Sequence, residues 1–511
     1  MNKHEISRRS FLKALGASAA GIALSRVPLT AFAEDAEKKE SFDIVAEYEA
    51  DIVVVGAGIS GLAASVQAAQ LGAKVIQLEA NSFAGGNGLG TEGIFGCGSK
   101  MQKEAGIDFS FGDIIAHEAE FFNYRINADF WRDMVNNSAD NLDWAIENGV
   151  EFSGVVDDYN GFGTVASFHW FADGTGASYV TPMVAKAEEL GVEIMYETRG
   201  LELKTADGKI AGIYAETKDG MVEINAKAVI LASGGYAAND EILYANGFET
   251  DRTLHFNIGV HNGDGLKMAT SVGGADVSKA RTFLGYSSVQ GSTGFDTAFS
   301  FMQECRSAIW VNGNGNRYVR EDCGEFVKGI TGNANRTQEI SYCIATEEIL
   351  ADIDANMVPG SAEVMKGIAD SNPDNNAFKA DTLEELAGFI GVDPDALSKT
   401  VADYNEMCAN GKDTDFSKPE KYLLALENGP FYAFRQDPML ATSIGGIHVN
   451  RNFEVIDLHN NVVCPGLYAV GTDSCEMYRE TYTISVPASC QGNNLNSGRT
   501  AAKNAVAYLA E

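Results

Sequence analysis

Residues 50–61, Ala-Asp-Ile-Val-Val-Val-Gly-Ala-Gly-Ile-Ser-Gly, followed by Lys74-Val-Ile-Gln-Leu-Glu79, constrain this chain more than any other stretch. The run Ile52-Val-Val-Val55 is β-branched and uninterrupted, as a strand buried on both faces of a parallel sheet requires. Gly56 allows a tight turn, Gly58 lets the backbone approach a pyrophosphate, and Gly61 lets the following helix, 62–71, pack close to the strand. The helix N-terminus then faces the phosphates with its partial positive charge. Glu79 ends a second strand, where its carboxylate accepts hydrogen bonds from a ribose. Strand, glycine turn, helix, strand and acid in this order predict dinucleotide binding.

The first 33 residues read as a leader outside the fold. Ser7-Arg8-Arg9-Ser10-Phe11-Leu12-Lys13 is a twin-arginine export motif, followed by a weakly apolar stretch and the small-x-small site Ala31-Phe32-Ala33. The apolar stretch is short and rich in glycine and alanine, unlike a bilayer span. This reading places the mature protein in the periplasm or at the extracytoplasmic surface, delivered by the twin-arginine machinery. The leader carries five basic residues and one acid, so its removal takes the formal charge from −33 to −37. Such a surface repels nucleic acid and anionic lipid and favours a basic partner. The eight cysteines form no C-x-x-C pair and no C-x-x-C-H haem site, and the seven histidines include no metal-spaced pair.

At 511 residues the chain is long enough for two or three domains. Residues 34–48 are charged and apolar-poor and read as a linker. The nucleotide-binding part begins near residue 49. Its glycine-rich run Ala84-Gly-Gly-Asn-Gly-Leu-Gly-Thr-Glu-Gly-Ile-Phe-Gly96 implies backbone pressed against something large and flat. Ala226–Tyr236 reads as a buried strand entering a second glycine turn, and Gly263-Asp264-Gly265 opens a helix. From 285 to 430 the character changes to Asn- and Asp-rich helical patterns, including 381–390 and 394–407. The strand-and-turn pattern returns at Pro465–Asp473, and Gly492-Asn493-Asn494 starts a last helix. The expected architecture is α/β: a Rossmann-like domain of residues 49–284 and 431–511, interrupted by an α+β capping domain over 285–430.

The motifs Val55-Gly-Ala-Gly-Ile-Ser-Gly61, Glu79, Gly85-Gly86-Asn87, Ala228-Val-Ile-Leu-Ala-Ser-Gly-Gly235, Gly263-Asp-Gly265, Asn316-Arg-Tyr-Val-Arg-Glu321, Gly445-Gly446, Leu467-Tyr-Ala-Val-Gly471 and Gly492-Asn493 stand in one order over residues 49–511. In this the chain resembles the fumarate reductase/succinate dehydrogenase flavoprotein family. The likeness is to its soluble exported branch, which includes flavocytochrome fumarate reductase, urocanate reductase and cardiac-glycoside reductase. The resemblance implies FAD beneath a mobile cap. By position, Gly56, Gly58, Ser60 and Gly61 would meet the pyrophosphate, and Glu79 the ribose. Gly85, Gly86, Asn87, Thr91 and Gly93 would reach phosphates and ring. Ala232, Ser233 and Gly234 would line the adenine side, and Asp264 is a further expected cofactor contact. Thr472, Asp473, Gly492, Asn493 and Asn494 would meet the ribityl chain and pyrimidine edge. Some relatives attach flavin through a histidine near the glycine-rich loop; that loop has none here, so the FAD is expected to be non-covalent.

Dicarboxylate-reducing members use cationic or histidine anchors, and counting from the shared motifs finds none of them. The cap position falls on Glu325, the position before the paired glycines on Thr442 and Ser443, and Ser489-Cys490 precede Gln491-Gly492-Asn493. A site for a dianion needs paired positive charge to offset desolvation, so fumarate is not the expected substrate. In its place stands Cys475-Glu-Met-Tyr-Arg-Glu-Thr-Tyr-Thr-Ile-Ser485. Tyr478, Arg479 and Tyr482, with Glu480 beside them, are the groups expected to polarise a carbonyl or carboxylate conjugated to a double bond. A tyrosine or Glu325 then protonates the α carbon. His169, beside Trp170, is a further expected substrate contact. The leading reading is a reductase of an activated C=C bond in an anaerobic electron acceptor, fed by a separate cytochrome or quinol-linked donor. The alternatives are a ketosteroid-type flavin dehydrogenase and a non-catalytic flavin electron carrier.

Overall fold

The computed structural model describes residues 42–510 except 249–251, 256–259, 279–283, 290–294, 327–329, 373–374 and 480. The leader and residues 34–41 of the expected linker therefore lie outside the described residues, as does Glu480.

The β-branched run forms the strand Ile52–Val55, buried at every position, at the centre of a five-stranded parallel sheet. Val75–Leu78 and then Glu193–Met195 lie on one side, Ala228–Leu231 and then Leu467–Ala469 on the other. The chain thus leaves Ile52–Val55 in one direction and returns on the opposite flank. That reversal opens a crevice at the carboxyl ends of Ile52–Val55 and Ala228–Leu231, where ligands of open α/β sheets bind. The helices Ile59–Gln70 and Ser489–Leu509 pack against each other beside it.

A second sheet is built from consecutive hairpins. Arg199–Ala206, Lys209–Thr217 and Gly220–Asn225 run antiparallel, and Ile44–Glu49 adds in parallel at the edge. All of that last strand but Glu49 falls inside the stretch expected to be linker. Its side chains alternate, with Ala46 and Tyr48 packed on the core and Val45 outward. Period-two burial, rather than overall composition, decided its structure.

A separate hydrophobic core runs between Val289 and Phe434 around Trp310, Leu397, Tyr404, Tyr432 and Phe434. Its antiparallel sheet orders Ile309–Asn312, Ser341–Thr346, Phe431–Arg435 and Ala377–Ala380, with the helix Leu383–Ile390 against it and the helix Pro394–Ala409 packed on that helix. The motif at 316–321 is part of its frame. Arg317 pairs with Glu321 at 2.7 Å and Asp413 at 2.9 Å, and Lys418 lies 3.5 Å from Glu321, all almost fully buried. Removing one member would leave a buried charge uncompensated.

Candidate active site

A cavity of about 520 Å³ occupies the crevice, within the range of sites that take a cofactor or drug-sized ligand. Its glycines divide by what a side chain would meet. Gly56 has φ +108°, and a Cβ there would lie 2.2 Å from the Ala232 carbonyl oxygen. A Cβ on Gly61 would lie 2.0 Å from the Gly56 oxygen. At Gly58 the nearest atom is 3.7 Å away, so the space beside it is cavity. Gly58 caps the helix Ile59–Gln70 with no side-chain hydrogen bond, leaving first-turn N–H groups for an anion. Gly85, Gly86 and Asn87 line the cavity opposite. Asn87 is fixed by donating to the Ala441 carbonyl at 2.9 Å, and Thr91 by donating to Gly88 at 2.8 Å.

Glu79, Arg199, Asp264, Ala232, Ser233, Gly234 and His261 line one end. The Glu79 carboxylate accepts from the backbone N–H of Ala57 and of Asn81, at 2.9 and 2.8 Å. Burial raises its pKa, and those hydrogen bonds work against the rise. Arg199 grips Asp264 through two 2.7 Å hydrogen bonds. Burial lowers His261 to about 4, so its ring is neutral, and its Nδ1 has no hydrogen-bond partner among the described residues.

Thr442, Thr472, Tyr482, Ile484, Ala488, Cys490, Gln491 and Asn494 line the other end, facing Tyr159, Phe162, Phe168 and Trp170. The two walls are laced together. Thr164 donates its N–H and hydroxyl to the Ser485 carbonyl, and Ser167 donates to the Pro487 carbonyl. The 21-residue helix Ser489–Leu509 starts here with no side-chain cap, so its positive end points at the cavity. Among the described residues the buried Asn494 Oδ1 has no hydrogen-bond partner, leaving an acceptor suited to a hydroxyl- or imide-bearing ligand. A glycine cradle, a ribose-binding acid and this orphaned acceptor together fit an extended flavin dinucleotide.

Several residues singled out in the sequence lie off the cavity. Gly61 and Gly492 act by close packing; a Cβ on Gly492 would meet Phe95 at 2.7 Å. Asn493 turns to the Cys475 sulfur at 3.6 Å. Asp473 is buried and accepts from Ser233 N–H at 2.6 Å, Gly235 N–H at 2.8 Å and the Ser233 hydroxyl, so it shapes the second glycine turn. Burial moves it up to about 6. Ser443 is buried and accepts from Tyr236 N–H at 2.9 Å. Gly93 and Ser60, by contrast, line the cavity.

The expected catalytic group is split. Tyr482 lines the cavity, and Tyr478 stands behind it, ring centroids 5.1 Å apart, with its hydroxyl 2.6 Å from Ser489 Oγ. Burial raises the Tyr478 pKa well above the usual phenol range. Arg479 points elsewhere, into a second cavity of about 440 Å³, 3.8 Å from Glu476. There His448 meets Glu476 at 2.7 Å. Glu325 is exposed in the short helix Cys323–Phe326, and Lys421 at 2.7 Å lowers its pKa. His169 is buried behind the wall, its Nε2 2.7 Å from Ser99 Oγ and its Nδ1 3.1 Å from the Ser167 carbonyl. Burial holds it down to about 4. Strand alternation sends Trp170, its neighbour, into the cavity instead. Glu92, Tyr159, Phe162 and Arg199 were missed. Only Glu92, inside the glycine-rich run, carried a sequence signal.

Over residues 51–485 the chain matches the FAD binding domain family, and over 5–25 the twin-arginine translocation signal. A vinyl phenol reductase of Lactiplantibacillus plantarum is 32% identical over 483 residues, covering 90% of this chain and 96% of that protein. A cytochrome-type fumarate reductase of Shewanella frigidimarina is 30% identical over 438 residues, covering 82% and 71%. Among solved structures, the open conformation of a flavocytochrome c3 fumarate reductase matches with a TM-score of 0.71 at 21% identity, over all of this chain and 83% of that one. At that identity the likeness speaks for the fold.

Proposed function

Because this chain belongs to the FAD-binding family that contains the fumarate reductase flavoproteins, and is an FAD-dependent reductase exported by the twin-arginine route, we propose that it reduces the activated C=C bond of an organic electron acceptor other than fumarate. One observation carries the exclusion. Among the described residues, the only Lys or Arg lining the cavity is Arg199, and Asp264 already neutralises it. A dicarboxylate would be desolvated there without countercharge.

When bound, FAD supplies hydride from its N5 position. The residues of this chain set up the rest. Gly56, Gly58 and the helix start at Ile59 would receive the pyrophosphate, Glu79 the ribose, and Asn494 a polar edge. The uncapped start of Ser489–Leu509 favours negative charge at the reacting end. Tyr482 donates a hydrogen bond to the activating group and delivers the proton that completes saturation. Tyr478, locked by Ser489, holds the Tyr482 ring in place. Electrons come from a separate cytochrome or quinol-linked donor, since no haem-attachment motif is present. The strongly acidic surface suits a basic docking partner.

The test is anaerobic reoxidation of the dithionite-reduced, FAD-loaded protein by a panel of enones, aryl alkenes, unsaturated acids and fumarate. At least one activated alkene restores the oxidised flavin spectrum, and fumarate does not. A protein that fumarate reoxidises as fast as any other compound, or that nothing reoxidises, defeats the proposal.

A further inference from the structure

The reacting end of the cavity has an aromatic wall and one acid. Tyr159 stacks on Phe168 with centroids 4.4 Å apart, and lies 5.0 Å from Phe162 and 5.5 Å from Trp170. Phe168 and Trp170 are 4.8 Å apart. The wall is held from behind: one Asp157 oxygen accepts from Tyr159 N–H at 2.9 Å and from the Trp170 indole at 2.8 Å. Tyr159 and Asn160 both have left-handed backbone, φ +63° and +52°, a conformation that persists only where the surroundings hold it. Rigid π faces of this kind select a flat ring.

Glu92 lines the same cavity beside these rings. The Tyr159 hydroxyl donates to its Oε2, and its Oε1 accepts from no described residue. Burial raises the Glu92 pKa, while the Tyr159 hydrogen bond favours the ionised form. An acceptor with a spare oxygen, at the edge of an aromatic slot without free countercharge, discriminates by charge as well as shape.

We infer that Glu92, held by Tyr159, selects the substrate: it accepts a hydrogen bond from the hydroxyl of a neutral hydroxyaryl alkene lying against Tyr159, Phe162 and Trp170, and it repels alkenes bearing a carboxylate. This rests on the reductase reading and names the class of acceptor for the same site. It assigns Glu92 a specificity role distinct from proton delivery by Tyr482.

The experiment is ligand titration of the oxidised, FAD-loaded protein, read by perturbation of the flavin visible spectrum, so that no turnover is required. The probes are 4-hydroxystyrene, styrene, which lacks the hydroxyl, and 4-hydroxycinnamate, which adds a carboxylate. The wild-type protein binds 4-hydroxystyrene at least tenfold more tightly than either of the others. Glu92→Gln, near-isosteric, removes the charge: the preference over 4-hydroxycinnamate shrinks at least tenfold, with FAD content unchanged. Tyr159→Phe keeps the ring, releases Glu92 and narrows the preference over styrene. Equal affinity of the wild-type protein for the three probes, or selectivity unaltered in Glu92→Gln, overturns the inference. Selective binding of 4-hydroxystyrene with no reoxidation by any panel compound would leave this inference standing and defeat the reductase reading. Reoxidation by a panel compound with no such selectivity would do the reverse.

Discussion

Arg199 and Asp264 meet through two parallel 2.7 Å hydrogen bonds across one end of the cavity, joining the edge of the second sheet to the start of the helix Asp264–Ser271. The pair closes that end and, among the described residues, leaves the cavity lining without an unpaired Lys or Arg.

Asp264→Asn breaks the fork while keeping the size of the side chain. A partly exposed bidentate pair contributes roughly 1 kcal/mol, so FAD affinity falls about fivefold. Fluorescence titration of the apoprotein with FAD measures it. Affinity equal to wild type would show that the pair does not shape the nucleotide end.

The glycines separate folding from binding. Gly58→Ala adds a methyl group into the cavity, where nothing lies nearer than 3.7 Å. The apoprotein keeps its melting temperature but loses FAD, measured by the ratio of flavin to protein absorbance. Gly61→Ala drives Cβ to 2.0 Å from the Gly56 oxygen. It destabilises the apoprotein itself by about 1–3 kcal/mol, the cost of an overpacked core position. A Gly58→Ala protein that purifies yellow would contradict the assignment.

Tyr482→Phe removes the hydroxyl to which proton delivery is assigned. Loss of a positioned proton donor costs about 10²–10⁴ in turnover, with FAD content unchanged. Arg479→Ala and Glu325→Gln act on groups that the structure places off the cavity, and turnover stays within about twofold. Steady-state rates with the best panel alkene decide it. A severe loss in Arg479→Ala would return that residue to the site.

Glu118 predicts a pH dependence. It is buried on the helix Phe111–Phe121, accepts from Ser485 Oγ at 2.7 Å, and has a second oxygen, Oε1, without a hydrogen-bond partner among the described residues. Burial pushes its carboxyl up to about 8 from 4.5. Between those values the folded protein holds a proton that the unfolded chain has released. Stability therefore falls as pH rises from about 5 to 8 and levels off above, by up to about 1.4 kcal/mol per pH unit. In Glu118→Gln this component is absent, so the variant gains on the wild-type protein in melting temperature across that window. Parallel melting curves at every pH would rule it out.

The cofactor half of the site was legible because its requirements are local. A strand of β-branched residues, a turn that only glycine can make and an acid one strand later are consecutive in sequence, and Gly56, Gly58, Ser60 and Glu79 all line the cavity. The edge strand Ile44–Glu49 escaped notice because its neighbour, Gly220–Asn225, is far away in the chain. Residues 475–485 carried the right side chains but not their directions. In one short turn, Tyr482 faces the cavity, Tyr478 packs on Trp131, and Arg479 leaves for the second cavity.

The sequence alone determined the parallel sheet, the glycine turn and the absence of the family's anchors from the expected positions, because hydrophobic period, glycine geometry and side-chain charge are properties of the residues themselves. Only the tertiary structure decided which groups meet across the cavity. Arg199 finds Asp264, and Tyr159 finds Glu92, through elements distant in the chain. Whether a charge is spent on a neighbour or left for a ligand depends on that packing.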